Sequence, residues 1–361
     1  MKKIKILLVA IFAVVLSACS GSGGNENTLY LMNWGDYISE DVIKKFEDEY
    51  KVTVVLSEVE SNEAMYEQIK NNRTSYDIAV PSDYMIEQLQ DENLLTDIDY
   101  SKLSNYDTKN LNKLVKENGP DSKNYVPYFN GTIGIMYSTK NISNIKDVIE
   151  KNGWNVLFDH TLLPNAKIGM YNSSRDAFAA ALLNQNKDVN ATNEKELNKA
   201  YDALKSMNYD VYGDDNLKKS VGIGNLDLAL VYSGDYYDEM FAAEEDGRDL
   251  DFHFYTPKST NYWVDGLVIP STSKNPELAH KFLNFMLKQD NAVENASYIG
   301  YASPFVNVMD ALKKDEETAY LFEDPFYDAS TIKGLKPQAY HFLGLDYMVK
   351  LEEMFTQSKS K

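Results

Sequence analysis

Residues Thr28 to Trp34 read TLYLMNW, a short apolar run with strand character, and the stretch that follows, SEDVIKKFEDEY, changes period. In it Val42, Ile43, Phe46 and Tyr50 share one face of a 3.6-residue repeat, and Ser39 stands where a cap is needed, so a strand followed by an amphipathic helix is expected. The switch recurs. KVTVVLSEV predicts a strand, SNEAMYEQIKNN a helix capped by Ser61, YDIAVPS a strand and DYMIEQLQDENLL a helix. This alternation argues for an α/β fold with a largely parallel sheet.

A loop-rich stretch around Gly119-Pro120 follows, and YVPYFNGTIGIMYS then resumes strand character near Gly131 and Gly134, where a crossing between domains is expected. Beyond it come the strand AKIGMYNSS, the helices DAFAAALLNQN and EKELNKAYDALKSM, and the strands LDLALVYSG and DFHFYTP. YWVDGLVIPSTSKNPELAHKFLNFMLK is a strand and an amphipathic helix expected to return to the first domain, and LDYMVKLEEMFTQ is a closing helix. The expected division is residues 28–133 rejoined by 263–300 as one unit and 134–262 as the other, with 301–361 packing on the second or crossing back.

The N-terminus does not belong to this pattern. Lys2, Lys3 and Lys5 precede an apolar run from Ile6 to Leu16, too short for a comfortable membrane span, so it reads as a secretory signal. Leu16-Ser17-Ala18-Cys19 resembles the lipobox of bacterial lipoproteins, which implies acylation of Cys19 and anchoring to the outer face of the cytoplasmic membrane. Cys19 is the only cysteine, so the fold is expected to hold without an internal disulfide, and residues 20–27, SGSGGNEN, suit a flexible tether. Net charge is −19; without the three signal lysines 33 basic residues face 55 acidic ones, or −22. That balance opposes nucleic acid and anionic lipid surfaces as partners.

In open α/β sheets, loop side chains and helix N-termini converge beyond the carboxyl ends of the strands. The residues at those ends are Trp34, Asp36 and Tyr37; Ser82, Asp83 and Tyr84; Tyr171, Ser173, Ser174, Arg175 and Asp176; Tyr232, Ser233 and Asp235; Trp263 and Asp265; and Tyr301. Five of the six edges join an aromatic ring to a carboxylate, although Asp83 and Asp235 also suit helix caps. Rings and carboxylates together favour a flexible organic cation, with about 0.5–2 kcal/mol per desolvated cation–π contact and about 0.8 kcal/mol per buried methylene.

Catalytic patterns fare poorly. His160, His253, His280 and His341 show no metal-ligand spacing, Gly222-Ile223-Gly224 lacks the third glycine of a dinucleotide loop, and Asp246 to Asp251 fails the calcium-loop spacing. No enzyme, metal or cofactor is expected.

The stretches LYLMNWGDY, ESNEAMY, YDIAVPSDYM, YVPYFNGTIGI, YWVDGLVIP, FLNFMLK and IGYASP resemble the spermidine/putrescine-binding proteins of bacterial polyamine ABC transporters, from about Thr28 to the C-terminal helix. The resemblance implies a type II periplasmic-binding-protein fold, two α/β lobes joined by hinge strands, and a monomer that hands a polyamine to permease subunits. Carried over, it implies that Trp34, Tyr37, Tyr84, Trp263 and Tyr301 wall the methylenes and that Asp265 pairs with an ammonium. Asp36 and Asp176 stand where the family has glutamate, the latter within Ser174-Arg175-Asp176, and Gln338 matches a polar contact. Ser173 replaces a second carboxylate and Tyr232 a tryptophan, so putrescine, spermidine and an N-acetylated diamine all stay open as ligands, as does a different cationic or neutral solute on the same fold.

Overall fold

The computed structural model describes residues 27–360, so the signal segment, Cys19 and residues 20–26 of the tether lie outside the described residues. The chain opens as expected, with β1 (Thr28–Asn33), α1 (Glu40–Tyr50), β2 (Thr53–Glu58) and α2 (Asn62–Asn71). The Ser39 and Ser61 hydroxyls accept from the Val42 and Ala64 N–H groups, so both expected caps form. β3 (Ile78–Ala79) and α3 (Asp83–Asp91) follow, then α4 (Lys113–Asn118), β4 (Tyr125–Ser138), α5 (Ile145–Asn152), β5 (Ile168–Tyr171), α6 (Ser174–Asn184) and α7 (Glu194–Ser206). The second half holds β6 (Val211–Gly213), α8 (Asn216–Gly222), β7 (Leu228–Tyr232), α9 (Ser233–Glu245), β8 (Phe252–Tyr255) and β9 (Ser259–Val268). It closes with α10 (Pro276–Met286), α11 (Gln289–Ile299), α12 (Val306–Lys314), β10 (Lys336–Gln338) and α13 (Leu345–Lys359).

The strands pair in the order β2-β1-β3-β9-β4-β7-β5-β6, with β10 beside β9 and β8 beside β4. β4 is buried along all 14 residues. From Tyr125 to Thr132 it pairs antiparallel with β9, and from Ile133 onward with β7 and β8. One strand therefore runs through both halves of the sheet, and the change of partner falls at Thr132–Ile133. α13 packs on α6 and α7.

Two expectations need correction. The expected strand LDLALVYSG stops at Tyr232, and Ser233 starts α9 instead, because the Asp235 carboxylate reaches back to accept from the Tyr232 N–H. α9 buries residues on every side, so it shows no apolar stripe in the sequence. YDIAVPS contributes only two strand residues, since its end is fixed by side chains rather than by a ladder.

Asp77 is one such side chain. Wholly buried, it accepts from the Tyr30 N–H at 3.0 Å, the Asn275 N–H at 3.0 Å and the Ser273 hydroxyl at 2.7 Å, tying β1 to the turn before α10. Asp77→Ala takes the acceptor from the Tyr30 N–H and one acceptor each from the Ser273 hydroxyl and the Asn275 N–H, the last of which still reaches Ser273 Oγ at 3.2 Å, and a loss of about 1–3 kcal/mol of unfolding free energy is expected. Chemical denaturation measures it; a midpoint unchanged within error would remove this account.

Candidate functional site

Asp265 sits on β9 opposite Phe129 of β4, and an isolated bridge brings Ser82, at the start of α3, beside it. The Tyr37 hydroxyl donates to its Oδ2 at 2.8 Å, and the Ser82 hydroxyl is its other side-chain partner. Asn62 holds Ser82 in place: its amide donates to Ser82 Oγ at 3.1 Å, and its oxygen accepts the Ser82 N–H at 3.0 Å. Burial pushes the Asp265 carboxyl up to about 6, against the pull of the two hydroxyls. Asp83, next to Ser82, is likewise raised by burial; its oxygens take the N–H groups of Tyr84 and, across the strand, Val264.

A second acid lies in the first turn of α6. Ser173 caps this helix by accepting the Asp176 N–H at 3.3 Å, which fixes the direction of the Asp176 side chain. Asp176 Oδ2 then accepts from the Tyr232 hydroxyl and Oδ1 from the Tyr340 hydroxyl, each at 2.8 Å. Beside it, the Arg175 guanidinium carbon stands 3.9 Å from the ring centre of Tyr84, on α3, and 5.2 Å from that of Tyr340. Glu87 of α3 reinforces the crossing, with His341 Nδ1 at 2.9 Å and the Phe342 N–H at 2.7 Å.

Aromatic rings connect the two acids. Tyr37 meets Tyr301 at 5.4 Å between centroids, Tyr301 meets Trp263 at 5.6 Å, and Trp263 meets Tyr232 at 5.9 Å. Tyr37 also contacts Tyr128, and Tyr232 contacts Tyr171, mostly edge to face. The Tyr301 hydroxyl donates to a further buried acid, Asp235, at 3.1 Å. Burial raises Asp235 to about 6, and Lys218, 3.4 Å away, opposes the rise. The Trp263 indole N–H is buried with no partner among the described residues.

Of the residues singled out from sequence, Tyr37, Ser82, Asp265, Tyr301, Trp263, Tyr232, Asp176 and Ser173 form this connected cluster, and Tyr84 joins through Arg175. Trp34 stands at its margin, half-buried, its indole donating to the Val80 carbonyl at 2.8 Å. Two depart from it. Asp36 is exposed in left-handed backbone, φ 49°, and among the described residues makes no hydrogen bond or ion pair. Gln338 is committed to scaffolding: its Oε1 accepts the Val189 N–H at 2.8 Å, and β10 pairs with β9. Tyr340, two residues on, reaches Asp176 instead. Tyr340 escaped sequence reasoning because it follows β10, a strand the sequence does not announce, and Lys218 and Asn62 because they lie within the helices α8 and α2.

The family profile for bacterial extracellular solute-binding proteins matches residues 41–320. The chain belongs to that family. This solute-binding protein is 31% identical over 308 residues to the spermidine/putrescine-binding periplasmic protein of Salmonella typhimurium, covering 84% of this chain and 85% of the relative. It is 28% identical to a putrescine/cadaverine-binding protein of Pseudomonas aeruginosa, covering 92% and 93%. Among solved structures it resembles a spermidine/putrescine ABC transporter protein of Listeria monocytogenes at 34% identity and a TM-score of 0.76, over 92% of this chain and 99% of the other. The fold is that of periplasmic binding proteins, and the family binds solutes rather than turning them over. No helix among the described residues is long and apolar enough to cross a membrane.

Proposed function

We propose that this solute-binding protein captures a linear di- or triamine where the rings and acids meet and delivers it to an ABC permease. The observation that carries this reading is the state of Asp176 and Asp265. Both are buried, both accept hydrogen bonds from hydroxyl groups, and among the described residues neither makes an ion pair. A buried carboxylate lacking a cation is costly, and an ammonium brought in by a ligand removes that cost. The run of rings between them suits a methylene chain. Relatives named for spermidine, putrescine and cadaverine support the same ligand class.

In this reading residues 28–133 with 263–300 form one lobe and 134–262 the other, with 301–361 packing on the second or crossing back; α12 lies against α11, and α13 against α6 and α7. The lobes close about β4 and β9, near Gly131 to Gly134 and Asp265. Contacts of Tyr84 with Arg175 and of Glu87 with His341 support these faces as the ones that meet on closure. A ligand favours the closed state only as far as it binds that state more tightly, which contacts from both lobes provide. Asp36 forms part of the rim, while acylated Cys19 and the tether hold the lobes near the permease.

Calorimetric titration of the mature protein with putrescine, spermidine and N-acetylputrescine is the test. Saturable heat with at least one of them, accompanied by a rise in melting temperature, is expected. Neither heat nor thermal shift with any amine ends the proposal.

A further inference from the structure

Four acids are buried in this cluster, Asp83, Asp176, Asp235 and Asp265, and the protein already supplies two cations against them. Lys218 is the first. It lies 3.4 Å from Asp235 and 2.8 Å from the half-exposed Asp238. Asp235 is otherwise spent on the Tyr301 hydroxyl and the Tyr232 N–H, so both its oxygens are engaged. Arg175 is the second. Nearly buried, it makes no ion pair among the described residues; it stacks on Tyr84 and Tyr340, donates to the His341 carbonyl, and its charge acts on Asp83. Asp36, Glu63 and Asp215 nearby are exposed, and water and salt screen them, while the half-buried Glu87 is engaged by His341 Nδ1 and the Phe342 N–H. What remains is at most two negative charges, carried by Asp176 at the Tyr232 end of the ring run and Asp265 at the Tyr37 end.

We infer that the site is built for a cation with two ammonium groups, a terminal diamine, and discriminates against a third charge, with Lys218 and Arg175 setting that limit. The inference rests on the polyamine reading above. A third ammonium between the ends would leave water beside Tyr301 and Trp263, where the nearest acid is already paired with Lys218. It would be desolvated without a partner and repelled by the lysine.

The experiment compares 1,4-diaminobutane, 1,5-diaminopentane and spermidine on the mature protein by calorimetry at one salt concentration. One diamine is expected to bind about tenfold or more tightly than spermidine. Lys218→Met releases Asp235 and should shift the spermidine-to-diamine affinity ratio toward spermidine by about tenfold, whereas Lys218→Arg, which keeps the charge, should hold the ratio. If Lys218→Met does not fold by circular dichroism, Lys218→Gln removes the same charge beside Asp235 and gives the same reading. Wild-type spermidine binding as tight as that of the better diamine overturns the inference and leaves the polyamine reading standing. A ratio unmoved in a folded charge-removing variant overturns the role of the internal cations, and absence of binding by every amine overturns the polyamine reading itself.

Discussion

Asp265→Asn is expected to weaken amine binding by about 2–5 kcal/mol while making the unliganded protein more stable. The two effects share one cause. Burial holds the carboxyl at about 6 rather than its ordinary 3.8, so at neutral pH the ionised form costs the folded state about 3 kcal/mol relative to the unfolded chain. Below the unfolded value both states are protonated and the cost vanishes; it accumulates as pH rises from about 4 to 6 and is complete above that. Asparagine carries no such cost, and its amide oxygen can still accept the Tyr37 hydroxyl. A bound ammonium relieves the same cost, so wild-type affinity should fall on acidification through about 6, by up to tenfold per pH unit for this one proton, and the variant should lose that dependence. Titrations between pH 5 and 8, paired with melting of the unliganded proteins, read both effects. Affinity unchanged in the variant would remove Asp265 from the site; a less stable unliganded variant would show that its charge is compensated.

The strand ends were legible because their signals are local. Ser39 and Ser61 announce helices, and a ring beside an acid after an apolar run can be seen without knowing its neighbours. Which acids lack a cation was not legible. Asp176 depends on Tyr340, 164 positions away, and Asp235 is answered by a lysine in LKKS, which reads as an ordinary solvated face. Asp36 and Asp265 look alike in sequence, each an acid two residues after a tryptophan. The first sits in left-handed backbone that leaves it in water, while the second stands in a strand covered on both sides. Burial, set by tertiary pairing, separates their chemistry.

The ring run can be broken without touching a ring or an acid. Gly234 lies in the first turn of α9, and a Cβ there would fall inside the ring of Tyr301. By helix propensity alone, Gly234→Ala should stabilise by about 1 kcal/mol. The overlap outweighs this, because the Tyr301 ring cannot simply turn away: its hydroxyl is held by Asp235, and its faces and edges meet Tyr37 and Trp263. Overpacking of this kind costs about 1–3 kcal/mol in stability, and moving the ring opens the middle of the run. The expected result is a net destabilisation of up to about 2 kcal/mol, together with a loss of amine affinity of at least tenfold, the stacked methylenes losing one wall at about 0.8 kcal/mol each. Pairing Gly234→Ala with Tyr301→Ala tests the route. The double variant should regain stability relative to the sum of the two single changes, since the clash disappears with the ring, yet remain weak in binding. Strict additivity in stability would mean that Tyr301 is not what the alanine methyl meets.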